Sequence, residues 1–231
     1  MLDHRKTKKI LEQLELSYPK AATALEYSSP FELLVATMLS AQSTDKQVNK
    51  ITRTLFKKYR RPEDFAALEP EDLEKLIKGC GIFRNKSKNI IAASREIVEK
   101  YKGQVPRDLE SLLSLPGVGR KTANVVLSNA FGEDAIAVDT HVFRVANRLG
   151  LANSPTPLGT ELNLQEAVPK EQWSKAHHWL IFHGRQVCSA RNPKCSTCPL
   201  NQWCDYYRQA NQALRKQKQP EGDPANPQAK Q

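Results

Sequence analysis

Lys121 has the most distinctive chemical setting in this sequence, because it follows a glycine turn and stands in the first turn of a predicted helix. The positive end of the helix dipole disfavours a cation there. Such a lysine either contacts a phosphate or is an amine whose pKa falls from about 10.4 towards about 7–8. The neutral amine can attack an electrophilic sugar carbon and form a Schiff base. The residues alone leave both uses open.

Asp139 is the carboxylate that we pair with Lys121, eighteen residues further along the chain. It directly precedes a predicted helix, where a carboxylate is stabilised in its ionised form. An ionised carboxylate suits the orientation of a nucleophile, or the stabilisation of positive charge on a sugar, better than it suits proton donation. A plain N-cap is the alternative, and sequence spacing does not establish that the two side chains meet.

Four of the five cysteines follow the pattern C-x6-C-x2-C-x5-C, and four thiols this close together can surround one metal centre. Structural zinc sites usually have two separated cysteine pairs, and this run has one C-x2-C pair. A 4Fe-4S cluster also takes four cysteines and accepts uneven spacing. Ligand chemistry therefore leaves both metals open. The predicted ligands are Cys188, Cys195, Cys198 and Cys204, whereas we interpret Cys80 as a buried apolar residue.

The glycine turn predicts a helix–hairpin–helix over about residues 109–131. Gly117 and Gly119 let the backbone approach another molecule closely, and the helix start that follows offers unpaired N–H groups to a phosphate. Backbone donors of this kind hold nucleic acid without recognising its sequence. The alternative is a tight turn between two helices with no ligand.

The charge balance favours an anionic partner, with nucleic acid as the first candidate and solubility charge as the alternative. The chain has 35 Lys and Arg against 25 Asp and Glu, a net charge of +10. No run approaches the roughly 18 apolar residues of a membrane span, and the N-terminus does not resemble a signal peptide. We therefore expect a soluble, intracellular protein without a membrane partner.

Helical periodicity dominates the chain and predicts an all-α protein of nine or ten short helices. The apolar run at 135–138 is too short to distinguish a strand. We expect a surface loop at the proline-rich segment 153–160. The composition of residues 214–231 predicts a disordered tail.

These motifs together resemble the endonuclease III family of DNA glycosylases with abasic-site lyase activity. The resemblance covers about residues 5–210, and it implies the helix-hairpin-helix DNA glycosylase fold and a 4Fe-4S cluster. The implied architecture is a six-helix barrel at 22–134 and an iron-sulfur cluster domain formed by 1–21 and 135–213, with the active site between them. It rests on residues 115–126, Val138-Asp139-Thr140-His141, His178-Trp179-Leu180 with His183-Gly184, and the cysteine run.

The resemblance also implies roles for individual residues. Lys121 matches the nucleophile that attacks C1′, displaces the base and allows β-elimination on the 3′ side, and Asp139 matches the catalytic carboxylate. Gln42 matches the residue that fills the gap left by a flipped nucleotide, and Ile82 lies where the family inserts an apolar wedge, usually Leu. The other predicted DNA contacts are Leu115, Gly117, Val118, Gly119, Arg120, His141 and Arg144.

The implied function is base excision repair of oxidised pyrimidines and abasic sites in double-stranded DNA, by a monomer in the cytoplasm associated with the nucleoid. An adenine-mismatch glycosylase would share the hairpin, the aspartate and the cluster, but that branch generally lacks a lysine at position 121 and adds a second recognition domain. A non-catalytic DNA-binding or redox-sensing module is the alternative from a different class. We expect the cluster to be structural, holding a basic loop against phosphate.

Overall fold

The computed structural model describes residues 3–218, and side chains as far as residue 212. Helix is the only regular structure in this part of the chain, which confirms the all-α prediction, although twelve α-helices are present instead of nine or ten. The helices are α1 His4–Ser17, α2 Pro30–Ser40, α3 Asp45–Lys58, α4 Pro62–Ala66, α5 Pro70–Ile77, α6 Phe83–Tyr101, α7 Leu109–Ser114, α8 Arg120–Ala130, α9 Thr140–Leu149, α10 Pro157–Ala167, α11 Trp173–Gln186 and α12 Asp205–Lys218.

Local capping groups explain where most of these helices begin. The side chain of Ser29 accepts from the backbone of Glu32 at the start of α2, and Thr44 caps α3 in the same way. Each such cap typically contributes about 1 kcal/mol. At the other end of α9, Gly150 takes a left-handed conformation with φ +78°, which terminates the helix.

The buried apolar side chains form two separate clusters. The first lies between Leu25 and Ala135 and is built from α2 to α8. The second combines α1 with the chain from Ile136 to Cys204. Because α1 packs on α11, the N-terminal helix belongs to the same cluster as the cysteine segment.

The segment 135–138 crosses from the first cluster to the second as buried, extended chain without strand pairing. Its carbonyl groups bond to side chains instead of to a neighbouring strand. The Ile136 carbonyl accepts from Asn124 at 3.0 Å, and the Ala137 carbonyl lies 2.6 Å from His177 Nδ1. These bonds satisfy the buried backbone and fix the position of Asp139 directly after it.

The predicted loop at 153–160 is wrong from residue 157 onward. Thr156 caps α10 by accepting from Gly159 N at 3.1 Å, and Pro157 occupies the first helical position, which suits proline. The helix escaped prediction because Leu158 and Leu162 are 48% and 53% exposed, so its apolar residues do not mark one face. This helix brings Glu161 to Arg120, the residue before Lys121 in the chain.

The second unpredicted helix, α12, begins at Asp205 and continues to Lys218. It includes the first residues of the tail that we expected to be disordered, and the rest of that tail, 219–231, lies outside the described residues. Among the described helices, none is both long and apolar enough to cross a membrane.

Candidate functional site

The pocket that contains Lys121 lies between the two apolar clusters. Lys121 is the second residue of α8, and it shares a pocket of about 70 Å³ with Asp139, at the start of α9. The structure therefore brings together the two residues that sequence spacing left unconnected. The other polar residues that line the pocket lie in the parts of the chain that form the two clusters. They are Thr23, Thr37, Ser40, Asp45, His177, His178 and Arg185.

The pKa of the Lys121 amine is lowered in this pocket. Partial desolvation is the main cause, and the positive charge of Arg185 acts in the same direction, whereas Asp139 and Asp45 oppose it. The residue stays exposed along one side, so water and a ligand can reach it, while protein atoms surround it on the others. A lowered pKa increases the fraction of neutral amine, which is the nucleophilic form.

Asp139 is both a helix cap and a wall of the pocket. Its Oδ1 accepts from the backbone N–H groups of His141 at 2.9 Å and Val142 at 2.8 Å. Both cap bonds use the same oxygen, so neither of them occupies Oδ2. Asp139 therefore caps α9 and also lines the pocket, so the two interpretations do not exclude each other.

Two buried histidines, His177 and His178, form the back of the pocket. Burial lowers the pKa of His178 to about 4, and burial together with the charge of its neighbour lowers the pKa of His177. Both rings are therefore neutral near pH 7. Because His177 Nδ1 faces the Ala137 carbonyl, this nitrogen is the donor and carries the hydrogen. The pair adds no positive charge beside Lys121.

An ion pair connects the two clusters beside the pocket. Arg185 Nη2, near the end of α11, lies 3.0 Å from Asp45 Oδ2, at the start of α3. Both side chains are partly exposed, so the pair contributes at most about 1 kcal/mol. The ion pair matters mainly as a structural link, because it joins the two clusters beside the Lys121 amine. The sequence did not predict that either residue belongs to the Lys121 pocket, because the pairing depends on tertiary structure.

The hairpin turn between α7 and α8 presents backbone to solvent. Leu115 and Val118 are buried in the first cluster, so they anchor the turn instead of reaching outward. Gly117 has φ +74°, and a Cβ there would lie 2.6 Å from Asn89 Cβ. Gly119 faces open space and no side chain caps α8, so the first-turn N–H groups are available to a phosphate.

Three other predicted DNA contacts are engaged with protein groups. Arg120 donates to the buried carboxylate of Glu161, with Nε–Oε2 and Nη2–Oε1 both at 2.9 Å. Arg144 donates to the carbonyls of Cys188 and Gly184, each at 3.0 Å, and its Nη2 lies 3.2 Å from His141 Nδ1. These contacts brace the starts of α8 and α9, and a direct contact of these three side chains with DNA stays a prediction.

Gln42 and Ile82 lie on two neighbouring turns at the protein surface. Both side chains are exposed, and both residues have φ +54°, which is rare for any residue other than glycine and an outlier for a β-branched one. The turns touch, because Gly81 N donates to Ser43 Oγ at 3.1 Å. Ser40, two residues before Gln42, lines the Lys121 pocket.

The four cysteines of the C-terminal run line one cavity, together with His183 and Tyr207. Burial raises the pKa of Cys195, Cys198 and Cys204, and each feels the charge of the other thiols. A positive metal centre is what would keep such buried sulfurs as thiolates.

The arrangement of the four sulfurs fits a cluster of several atoms. Within residues 3–218, no three His, Cys, Asp or Glu side chains are placed to hold a single metal ion. The sulfurs instead surround a common space. Arg148 Nη1 donates to Cys188 Sγ at 3.4 Å, and hydrogen bonds of this kind to sulfur are typical of iron–sulfur sites. The residues present therefore fit an iron–sulfur cluster better than a zinc ion.

Two family profiles match the chain. The profile of HhH-GPD superfamily base excision DNA repair proteins matches residues 35–170, more than half of the chain. The profile of the iron–sulfur binding domain of endonuclease III matches residues 188–204, the cysteine run.

Curated proteins and solved structures agree with these profiles. Endonuclease III of Bacillus subtilis (strain 168) is 52% identical over 205 residues, which cover 88% of this chain and 94% of that protein. Endonuclease III of Escherichia coli (strain K12) is 45% identical, with coverage of 89% and 97%. The structure of a trapped endonuclease III–DNA covalent intermediate, an estranged-adenine complex, has a TM-score of 0.87 and 47% identity, and covers 91% of this chain and 100% of that one.

Proposed function

The chain belongs to the endonuclease III family of base excision DNA repair proteins, and we propose that Lys121 and Asp139 carry its chemistry. As a member of that family it is a DNA glycosylase and abasic-site lyase, and it binds a 4Fe-4S cluster. The observation that supports the assignment of residues is the pocket itself. It holds an amine with a lowered pKa beside the Asp139 carboxylate, together with two neutral histidines.

Lys121 is the nucleophile in this proposal. Its neutral Nζ attacks C1′ of the damaged nucleotide, and the bond from C1′ to the base breaks as the base leaves with the electron pair. The attached amine gives up a proton, which the departing base takes up. Opening of the sugar ring, with O4′ protonated by water, then gives a protonated Schiff base between Nζ and C1′. Loss of a proton from C2′ expels the 3′ phosphate by β-elimination.

Asp139 stabilises positive charge on the sugar while the base departs. Its Oδ1 is held by two backbone donors, which fix the orientation of the carboxylate, and neither of these bonds occupies Oδ2. Charge stabilisation is therefore its role in this scheme, and proton donation is not part of that role.

The hairpin holds the DNA backbone. The uncapped start of α8 and the glycine turn supply N–H donors to a phosphate, so the same helix that binds the backbone carries the nucleophile. Gln42 and Ile82 occupy the space left by the extruded nucleotide and separate the opposite strand, which offsets part of the cost of unstacking.

The iron–sulfur site has a structural role. Cys188, Cys195, Cys198 and Cys204 would hold the cluster, which supplies four metal–sulfur bonds in a segment with little regular structure. Arg191 and Lys194 lie in that segment, so an ordered segment presents positive charge to phosphate.

The substrate class and the cellular setting belong to the proposal too. Oxidised and ring-saturated pyrimidines, and abasic sites, in double-stranded DNA are the expected substrates. The enzyme is expected to act as a monomer in the cytoplasm, associated with the nucleoid. A panel of lesion duplexes and sedimentation of the free protein test these points.

Borohydride trapping tests the central assignment. Reduction of the Schiff base should give a covalent adduct between the wild-type protein and abasic DNA, and peptide mapping should locate it at Lys121. The substitution Lys121→Gln should abolish the adduct and reduce nicking at least about a thousandfold, yet keep DNA binding. An adduct at any other lysine, or none in the wild type, contradicts the proposal.

A further inference from the structure

Lys86 is a buried lysine that the proposed chemistry does not use. It stands in the first turn of α6, one helical turn after Ile82, and it is only 6% exposed. Its Nζ donates to the carbonyls of Leu39 at 2.8 Å and Ala41 at 2.6 Å, and to Ser43 Oγ at 3.3 Å. An ammonium group has three hydrogens, so every donor is used.

The acceptors of Lys86 form a site built for a cation. Leu39 and Ala41 lie at the C-terminal end of α2, where carbonyl groups lack helical partners and the helix dipole is negative. Burial acts in the opposite direction and lowers the pKa of Lys86. The three bonds are therefore what make a charged side chain tolerable in this place.

The site joins the two turns that carry Gln42 and Ile82. Lys86 follows Ile82 on α6, and its three acceptors flank Gln42 on both sides. A second bond, from Gly81 N to Ser43 Oγ, ties the same turns together. The contact is so close that a Cβ on Gly81 would lie 3.0 Å from the Gln42 carbonyl oxygen.

The left-handed backbone at Gln42 and Ile82 needs such support. Residues other than glycine hold a positive φ only where surrounding contacts fix the conformation. Both side chains are exposed, so their own packing does not fix it. The bonds of Lys86 and Ser43 hold the two turns against each other, in addition to the backbone bonds from Ser43 N to Ser40 O and from Lys86 N to Ile82 O.

We propose that Lys86 is a positioning residue that locks the Gln42 turn to the Ile82 turn, so that the gap filler and the wedge enter the duplex as one rigid unit. The inference rests on the proposed function of Gln42 and Ile82. A unit that is already ordered in the free protein avoids the loss of conformational entropy when DNA binds. Loss of the lock should therefore impair extrusion of a nucleotide from a duplex much more than attack by Lys121.

The test compares Lys86→Met with Lys88→Met. Both substitutions remove one positive charge from α6, but Lys88 is exposed whereas Lys86 is buried. We expect Lys86→Met to lower kcat/KM on a duplex with a ring-saturated thymine about tenfold, with less than about a twofold loss for Lys88→Met. Borohydride trapping on a single-stranded abasic oligonucleotide, which has no opposite strand to separate, should change less than about twofold in both.

A structural measurement keeps this inference separable from the proposed function. Amide hydrogen exchange in residues 41–43 and 80–82 should become faster in Lys86→Met and stay unchanged in Lys88→Met, while the exchange of α8 is unaffected in both. A wild-type protein that forms no adduct contradicts the proposed function. In that case the hydrogen-exchange data still test, by themselves, whether Lys86 holds the two turns together.

A milder variant covers the case in which Lys86→Met does not fold. Ser43→Ala removes one acceptor of Lys86 and the bond from Gly81 N to this turn, with little change in volume. It should show the same selective loss on duplex DNA, of smaller size. Equal losses on duplex and single-stranded substrates, or unchanged exchange in residues 41–43, overturn the inference.

Discussion

The helices α8 and α9 both begin at the Lys121 pocket, yet their N-termini are used in opposite ways. The start of α8 has no side-chain cap and carries a lysine, so it presents free N–H groups and an amine. The start of α9 is capped by Asp139, which occupies two of its N–H groups with one oxygen. The first terminus is left open for an anion, and the second is closed by a carboxylate that belongs to the protein. One element of secondary structure can thus supply a binding site or hold a charged group in place.

Substitution of Asp139 tests its role as a cap separately from its role as a charge, and it should have the largest effect of the changes that compare the two helix termini. Asn caps a helix about as well as Asp, so Asp139→Asn should fold with a nearly unchanged Tm. The loss of negative charge should lower base excision about a hundredfold, measured as kcat on a lesion duplex. Asp139→Ala should lose the same activity and also about 1 kcal/mol of stability from the missing cap. If Asp139→Asn excises bases at the wild-type rate, the carboxylate is only a cap.

The pH dependence of trapping tests the amine at the open terminus. The pKa of Lys121 is lowered, mainly by burial, so neutral amine should accumulate at a lower pH than for a free lysine. Trapping on abasic DNA should therefore rise about tenfold per pH unit below this pKa and reach a plateau below pH 10.4, the value for free lysine. Arg185→Gln removes a positive charge beside the amine and should move the plateau to higher pH. A rate that still rises beyond pH 10.4 contradicts the lowered pKa.

Substitutions of the two hairpin glycines should have the smallest effects. They compare backbone strain at Gly117 with the access of a phosphate at Gly119. Gly117→Ala meets Asn89 at 2.6 Å in a left-handed conformation, so it should destabilise the fold by about 1–3 kcal/mol and lower the Tm. Gly119→Ala has open space and an ordinary φ of −88°, so its Tm should stay the same. Its Cβ stands where a phosphate would approach, and DNA binding should weaken a few-fold by fluorescence anisotropy. Unchanged affinity in Gly119→Ala would place the phosphate elsewhere.

The sequence was sufficient to predict features that depend on local chemistry. Lys121 and Asp139 were recognised from their positions at helix termini. The four cysteines were recognised as ligands, although their spacing did not separate iron–sulfur from zinc. The match of residues 188–204 to the iron–sulfur binding domain of endonuclease III distinguishes the two.

Features that depend on distant contacts were not predictable. The helix α10 was missed because Leu158 and Leu162 face solvent and hide its periodicity. The roles of Asp45 and Arg185 arise only where α3 meets α11. Lys86 resembles any other lysine of a basic helix in the sequence, and its burial follows from the approach of α2 to the start of α6.

The packing of α1 on α11 sets the order in which the chain can fold as it is synthesised. The first cluster uses one continuous stretch, 25–135, and can form while later residues are still in the ribosome. The second cluster needs both ends, as in the bond from Tyr18 to His183, which joins residues 165 apart. The pocket around Lys121 is bounded by both clusters, so it is completed last. The groups that α9 and α11 bring to the amine, Asp139 and Arg185 among them, are therefore placed beside Lys121 only when the second cluster forms.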